Sequence, residues 1–370
     1  MPWANKQGQI DAFNVAFAAA YGNGVRGELE NLGKLFSPAA RNAYAQALAE
    51  GLVQGGSASV DVAWIDKRPI AILNAGDTGA ELGDMMLVIH ESYGNGPLES
   101  RACLLEVKQS PADPVPPVPV TEENESTKNQ FKILSTWDPI HTLKKTATNK
   151  DTLLSNIVTK TGSLDAALAQ AWYVAVKPPP SSGWVMDPWV AAPAIAGSEF
   201  DFTLGELFVA CARGDSLTDK KSGKTIAVGR GFKLNHTLQT PYSWDALINT
   251  IIHKVAQQYR MPPKYYTWPT AWRYFSGIVI SGVATGAIAQ TQTYQSAPAL
   301  LPAIVLLTAV TSLATLYFVW KLWRLVRRPV PTVEAADFDD DDGGARIHAG
   351  RFPILIFTVA HDEPETDQRG

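Results

Sequence analysis

Asp84, Glu106 and Lys108 are the residues of this chain whose types and spacing could do chemistry together. Two carboxylates can hold a hard divalent cation such as Mg²⁺ or Mn²⁺ through their oxygens. Such a cation would neutralise the charge of a phosphate and lower the pKa of a bound water. A lysine beside it can orient that water or stabilise developing negative charge. Three charges at the end of an apolar strand are costly without such a purpose or a partner.

The segment that carries them reads as a β-hairpin. DMMLVIHE (84–91) and RACLLEVKQ (101–109) are runs of strand length separated by SYGNGPLES, which is rich in turn residues. Side chains alternate along a strand, so Glu106 and Lys108 share a face. A hairpin closing around Asn95-Gly96 sets Asp84 opposite Lys108 and diagonal to Glu106. A slip of one residue would turn the Glu106 and Lys108 pair away from Asp84.

The flanking sequence supplies the elements that must position this hairpin. Residues 10–54 read as helices, with apolar positions three and four apart in VRGELENLGKLFS and SPAARNAYAQALAEGLV, and with Ser37-Pro38 as an N-cap and first-turn proline. Residues 60–109 turn to β character, beginning with the alternating VDVAWI. Residues 111–128, PADPVPPVPVTEENESTK, form a proline- and acid-rich exposed loop. Residues 129–262 return to mixed structure: SLDAALAQAWYVAV runs from helix into strand, and TLGELFVACA and SWDALINTIIHKVAQQY are amphipathic helices. The expectation is one α/β domain over residues 1–265.

The order of these residues (Gly83-Asp84, then Glu106-Val107-Lys108 on the next strand, after a helix) resembles the PD-(D/E)XK nuclease superfamily. The resemblance covers roughly residues 20–145 and implies a restriction-endonuclease-like core, a central mixed sheet flanked by helices. It implies metal ligands at Asp84 and Glu106, a further ligand in the carbonyl of Val107, and a catalytic lysine at Lys108. A glutamate from the preceding helix is also implied, for which GELENLGKLF offers Glu28 or Glu30, with Glu30 placed in the metal set; Glu81 is an alternative. Some members add a glutamine from the next helix, which Gln130 could match. The chain departs from the pattern in having Gly83 in place of proline, and in the long interval between the acid and Glu106.

Residues 274–320 hold no charged side chain. A bilayer core needs about 20 apolar residues per helix, so this run suits two spans joined by the polar turn QTQTYQSAP. Arg260, Lys264 and Arg273 precede it, and Lys321, Arg324, Arg327 and Arg328 follow, which by the positive-inside rule puts both flanks in the cytoplasm. Trp268, Trp272, Tyr274, Trp320 and Trp323 sit where interfacial aromatics belong. A transmembrane hairpin with basic flanks is therefore expected over 266–328, in a cell inner membrane. Gly282 and Gly286 have the GxxxG spacing that serves close packing within the hairpin or between copies. Residues 329–370 read as an acidic linker and a strand-like tail, FPILIFTVA, either a small terminal unit or docked on the main domain.

Composition narrows the functional classes. The chain has 370 residues, 32 Lys+Arg against 36 Asp+Glu, and a net charge of -4. Near-neutral charge argues against strong non-specific nucleic-acid binding while leaving room for a local basic groove. Cys103 and Cys211 lie in apolar runs and read as buried reduced thiols; neither they nor the six histidines form a zinc pattern. MPWANKQGQIDAF lacks the basic start and apolar core of a signal peptide. SGKT at 222–225 has Thr218 where a phosphate loop needs its first glycine, and reads as a polar loop. The expectation is a membrane-anchored, Mg²⁺- or Mn²⁺-dependent nuclease acting on nucleic acid, DNA first, with defence against phage as what the resemblance implies. Membrane lipid, a membrane or defence-system protein and further copies of the chain are the expected partners. The alternative is an inactive nuclease fold that assembles a membrane complex.

Overall fold

The structure, a computed structural model, describes residues 3–21, 27–53, 56–65, 69–75, 77–93, 97–120, 125–144, 152–159, 167–178, 187–234, 243–256 and 352–361. By its internal contacts the chain divides into Met1–Arg260 with Asp337–Gly370 as one unit and Met261–Ala336 as another, and all described residues belong to the first. The expected hairpin at 266–328 and the acidic linker lie outside them. Among the described residues no helix is long and apolar enough to cross a membrane.

Three helices open the chain: α1 (Lys6–Tyr21), α2 (Glu28–Lys34) and α3 (Pro38–Glu50). The expected cap of α3 is formed: Ser37 Oγ accepts from the Ala40 N–H at 3.2 Å, with proline in the first turn. Then come β1 (Ser57–Ile65), β2 (Ile70–Ile72), β3 (Ala80–Glu81), β4 (Met85–Tyr93), β5 (Leu98–Gln109), α4 (Glu125–Thr136), β6 (Ile140–Lys144), β7 (Thr152–Ile157), β8 (Ala171–Val176), β9 (Trp189–Pro193) and β10 (Phe202–Thr203). They are followed by α5 (Leu204–Arg213), β11 (Ser216–Thr218), β12 (Thr225–Ala227), β13 (Arg230–Gly231), α6 (Trp244–Thr250), which runs into a π turn at Ile251–Val255, and β14 (Phe352–His361). SGKT lies in the β11–β12 hairpin, with no helix for a phosphate loop to open.

The main sheet has eight strands in the order β1-β14-β4-β5-β8-β9-β10, with β13 beside β5. It is mixed: β4 and β5 pair antiparallel, whereas β14 runs parallel to β4 and β8 parallel to β5. β4 is buried along almost its whole length, as its unbroken apolar run requires of a strand covered on both faces. Met85, Leu87, Ile89, Cys103, Leu105 and Val107 point into the core beneath α1, α3 and α5. Met86, Val88, Ala102 and Leu104 point the other way, toward α4, α6 and a four-stranded sheet, β3-β2-β6-β7. The expected mixed sheet flanked by helices is present.

FPILIFTVA is neither separate nor peripheral. It forms β14, second in the sheet, pairing nine residues with the edge strand β1 and eight with β4. Its end is pinned by a buried carboxylate: His361 Nε2 lies 2.9 Å from Glu91 Oε1, which also accepts from Trp3 Nε1 at 2.7 Å and the Tyr93 hydroxyl at 2.6 Å. Arg101 donates to Glu91 Oε2 at 2.7 Å. Burial pushes the Glu91 carboxyl up, but the Tyr93 hydroxyl, the Arg101 charge and His361 outweigh it and hold the group below the ordinary carboxylate range.

Candidate active site

β4 and β5 bring the three sequence-selected residues together, in a register two residues from the expected one. Met85 pairs with Leu105, so the ladder continues with Asp84 level with Glu106, and Lys108 takes the diagonal. Asp84 N–H donates to the Leu105 carbonyl at 2.9 Å. The pairs from Met85–Leu105 to Ser92–Leu98 centre the hairpin one residue earlier than expected. Because side chains repeat every two residues, the shift exchanges partners without changing faces. Asp84, Glu106 and Lys108 share the parity of Met86 and Leu104, the face toward α4.

Each carboxylate is held on a second side. The Val107 N–H donates to Asp84 Oδ2 at 2.8 Å, so the central residue of the Glu106–Lys108 triplet fixes the acid on the neighbouring strand. In an extended strand a residue's N–H and C=O point to the same edge, so the Val107 carbonyl also lies on the Asp84 side. Gln130 of α4 donates from Nε2 to Glu106 Oε2 at 2.5 Å. Lys108 Nζ stands 2.5 Å from Glu106 Oε1, an ion pair without hydrogen-bond alignment.

Asp84 is 2% exposed and Glu106 fully buried, while the Lys108 side chain keeps 17% of its surface. Burial raises the Glu106 carboxyl well above its ordinary value; the Asp84 charge raises it further, the Lys108 ammonium opposes, and Glu28 adds to the rise. For Lys108 burial favours the neutral amine, but the charges of Glu106, Asp84 and Glu28 outweigh it and keep the ammonium.

Glu28, rather than Glu30, is the α2 residue at the site. Its Oε2 accepts from the Gln109 N–H at 3.3 Å, one residue beyond Lys108. Glu30 is exposed, two positions along the same helix and so on another side of it. Glu81 belongs to β3, in the smaller sheet.

Sequence reasoning missed Tyr173. It is the β8 partner of Glu106, buried on the same face, and its phenol is held protonated by burial and by the charges of Glu106 and Asp84. AWYVAV is legible as a strand, but nothing in it says which residue lands beside Glu106.

The donor set fits a small hard dication. Two carboxylates side by side in a buried site, one with its pKa raised partly by the other, are relieved by a divalent charge between them. Mg²⁺ takes one or two carboxylates and keeps several waters. Among the described residues no group of three or more His, Cys, Asp or Glu side chains could hold a metal. Compared with protein-family models, curated proteins and solved structures, the chain matches none.

Proposed function

We propose that the chain is a membrane-anchored, metal-dependent nuclease of the PD-(D/E)XK type that hydrolyses phosphodiester bonds, with DNA as its first substrate. The observation that carries this reading is the convergence of Asp84, Glu106 and Lys108 on one face of two paired strands, with Gln130 reaching Glu106 from the next helix.

Asp84, Glu106 and the Val107 carbonyl would hold Mg²⁺ or Mn²⁺. Such an ion supplies charge neutralisation at the phosphate and a bound water of lowered pKa. The residues themselves do the rest. The Val107 N–H fixes the Asp84 carboxylate, and Gln130 fixes that of Glu106. Lys108, the most exposed of the three, offers its ammonium to the charge that develops on the phosphate oxygens. Burial of the two acids keeps bulk water from screening that charge. The anchor is the uncharged run 274–320 with its basic flanks, and interception of incoming DNA at the inner face of a cell membrane is the role the resemblance implies.

The test is cleavage of plasmid DNA and of RNA by the full chain with Mg²⁺, beside a Lys108→Ala control. Cleavage by the wild type that the variant loses is the expected result. No cleavage of either substrate, with Mg²⁺ or Mn²⁺, would leave the inactive interaction protein as the better reading.

A further inference from the structure

α4 does two things. Gln130 on one side holds Glu106, while Lys132 and the residues just past the helix end line a cleft of about 520 Å³ against β2, β6 and β7. We propose that this cleft binds a nucleotide unit, one base with one phosphate. It rests on the nuclease reading only for the source of that unit, not for its chemistry.

The lining has the parts such a ligand needs. Pro139 and Val158, more exposed than their buried neighbours Leu73 and Ile140, supply apolar surface against which a flat ring can lie. Asn156 carries an amide that offers both donors and an acceptor to a base edge, Asn74, whose Nδ2 donates to Asp77 Oδ2 at 2.7 Å, adds its amide oxygen, and Asp138 adds an acceptor for an exocyclic amine. Lys132 brings an ammonium to the lining and His141 an imidazole that can donate a hydrogen bond, and a phosphate is the anion that pairs with such groups. Lys132, His141 and Asn156 make no side-chain hydrogen bond or ion pair among the described residues. Their polar groups are therefore available to a ligand.

The backbone points to the same place. Three non-glycine residues have positive φ among the described residues, and two of them frame this cleft: Asn156 at 54° in its lining, and Trp137 at 52° immediately before Asp138. A left-handed conformation at a bulky buried tryptophan is strained, and strain of this kind collects at ligand sites. Trp137 is fixed there by burial and by an edge contact with Trp244. Thr136, the last residue of α4, lies six residues beyond Gln130, roughly 9 Å along the helix at ~1.5 Å per residue, a distance of a few nucleotide steps at ~3.4 Å each. A unit bound in the cleft and a phosphodiester at Glu106 can thus belong to one strand.

The test titrates the full chain, free of divalent metal, with AMP and separately with a short phosphorothioate single-stranded DNA, following binding by calorimetry. Wild type, Asp84→Ala, Lys132→Ala and Asn156→Gly are compared, the last keeping a residue that tolerates positive φ. The expected result is that wild type and Asp84→Ala bind AMP alike, while Lys132→Ala binds it about tenfold or more weakly, as loss of a charged hydrogen bond implies. A strand-borne unit shows as tighter binding of the DNA than of AMP and a raised KM in Lys132→Ala with kcat kept. A free nucleotide shows as the reverse order of affinity. A chain that binds AMP but cleaves nothing would remove the nuclease reading and keep the cleft. Absence of binding in both titrations, or binding unchanged by Lys132→Ala and Asn156→Gly, overturns the proposal. Lys132 and Asn156 both lie at exposed positions, so thermal unfolding should match wild type for the two cleft variants.

Discussion

The backbone N–H of Val107 donates to the carboxylate of Asp84 across the β4–β5 pair, at 2.8 Å. One strand thus both carries the second acid and orients the first. Asp84→Asn keeps an oxygen to accept that bond and loses only the charge, whereas Asp84→Ala loses both. Both variants should lose cleavage and weaken Mg²⁺ or Mn²⁺ binding together. Lys108→Ala should lose cleavage and keep metal binding, because an ammonium repels the cation. Metal titration beside a cleavage assay separates the cases; full activity in Asp84→Asn would remove the acid from the mechanism.

Gln130→Ala leaves Glu106 Oε2 without its donor. Groups that orient a metal-binding side chain are worth roughly 10–100-fold in metal affinity or activity. A loss of that size is expected, with partial recovery in Gln130→Asn if the shorter amide still reaches. Activity equal to wild type in Gln130→Ala would show that the bond is only structural.

Glu106 is kept in place against the preference of its own charge. Its carboxyl is raised above its ordinary value chiefly by burial, so the ionised form destabilises the metal-free fold above that value. Glu106→Gln should therefore be inactive yet unfold, without metal, at a temperature no lower than wild type. A clear fall in Tm would mean that the Lys108 ion pair outweighs the burial of both charges.

His90 sets an acid limit to stability. It is fully buried on β4, its Nδ1 2.8 Å from Ser100 Oγ, and burial, with the nearby His253, lowers its pKa to about 3. In the unfolded chain the group binds a proton below about 6.5. The stability it confers is whole above that value and falls away as pH drops toward about 3, on the order of a few kcal/mol in all. Urea unfolding at pH 7 and pH 4 should show this loss in wild type and a smaller one in His90→Gln. Glu91, also depressed, adds a loss of the same sign below its ordinary carboxylate range.

Much of the site was legible because strand alternation is local. Glu106 and Lys108 share a face whatever the sheet does, and an acid at the start of the preceding strand could meet them in any even register. Which residue sits level with which depends on where the hairpin is centred, and there the expected pairing of Asp84 with Lys108 gave way to Asp84 with Glu106. The choice between Glu28 and Glu30 depends on the rotation of α2 against β5, and the place of Tyr173 on the register of β8, both set by packing far along the chain. The role of FPILIFTVA was the least legible. Its apolarity announces burial, but no local signal names β1 and β4 as its neighbours.

Phe357 on β14 is fully buried, with ring centroids 5.9 Å from Phe13 and 5.8 Å from Phe208. Phe357→Ala should cost about 3–5 kcal/mol, and truncation after residue 265 should aggregate by exposing the edges of β1 and β4. Size-exclusion chromatography of the truncated chain decides this; a soluble monomer would show that β1 and β4 can close on each other.

The sheet position of β14 also bears on order of synthesis. A strand encoded after the uncharged run is needed between two strands encoded long before it, so β4 and its carboxylate-bearing partner β5 stay on an open-edged, unfinished sheet while the intervening residues are made. The sheet that carries Asp84 and Glu106 is therefore completed only after that run has been made.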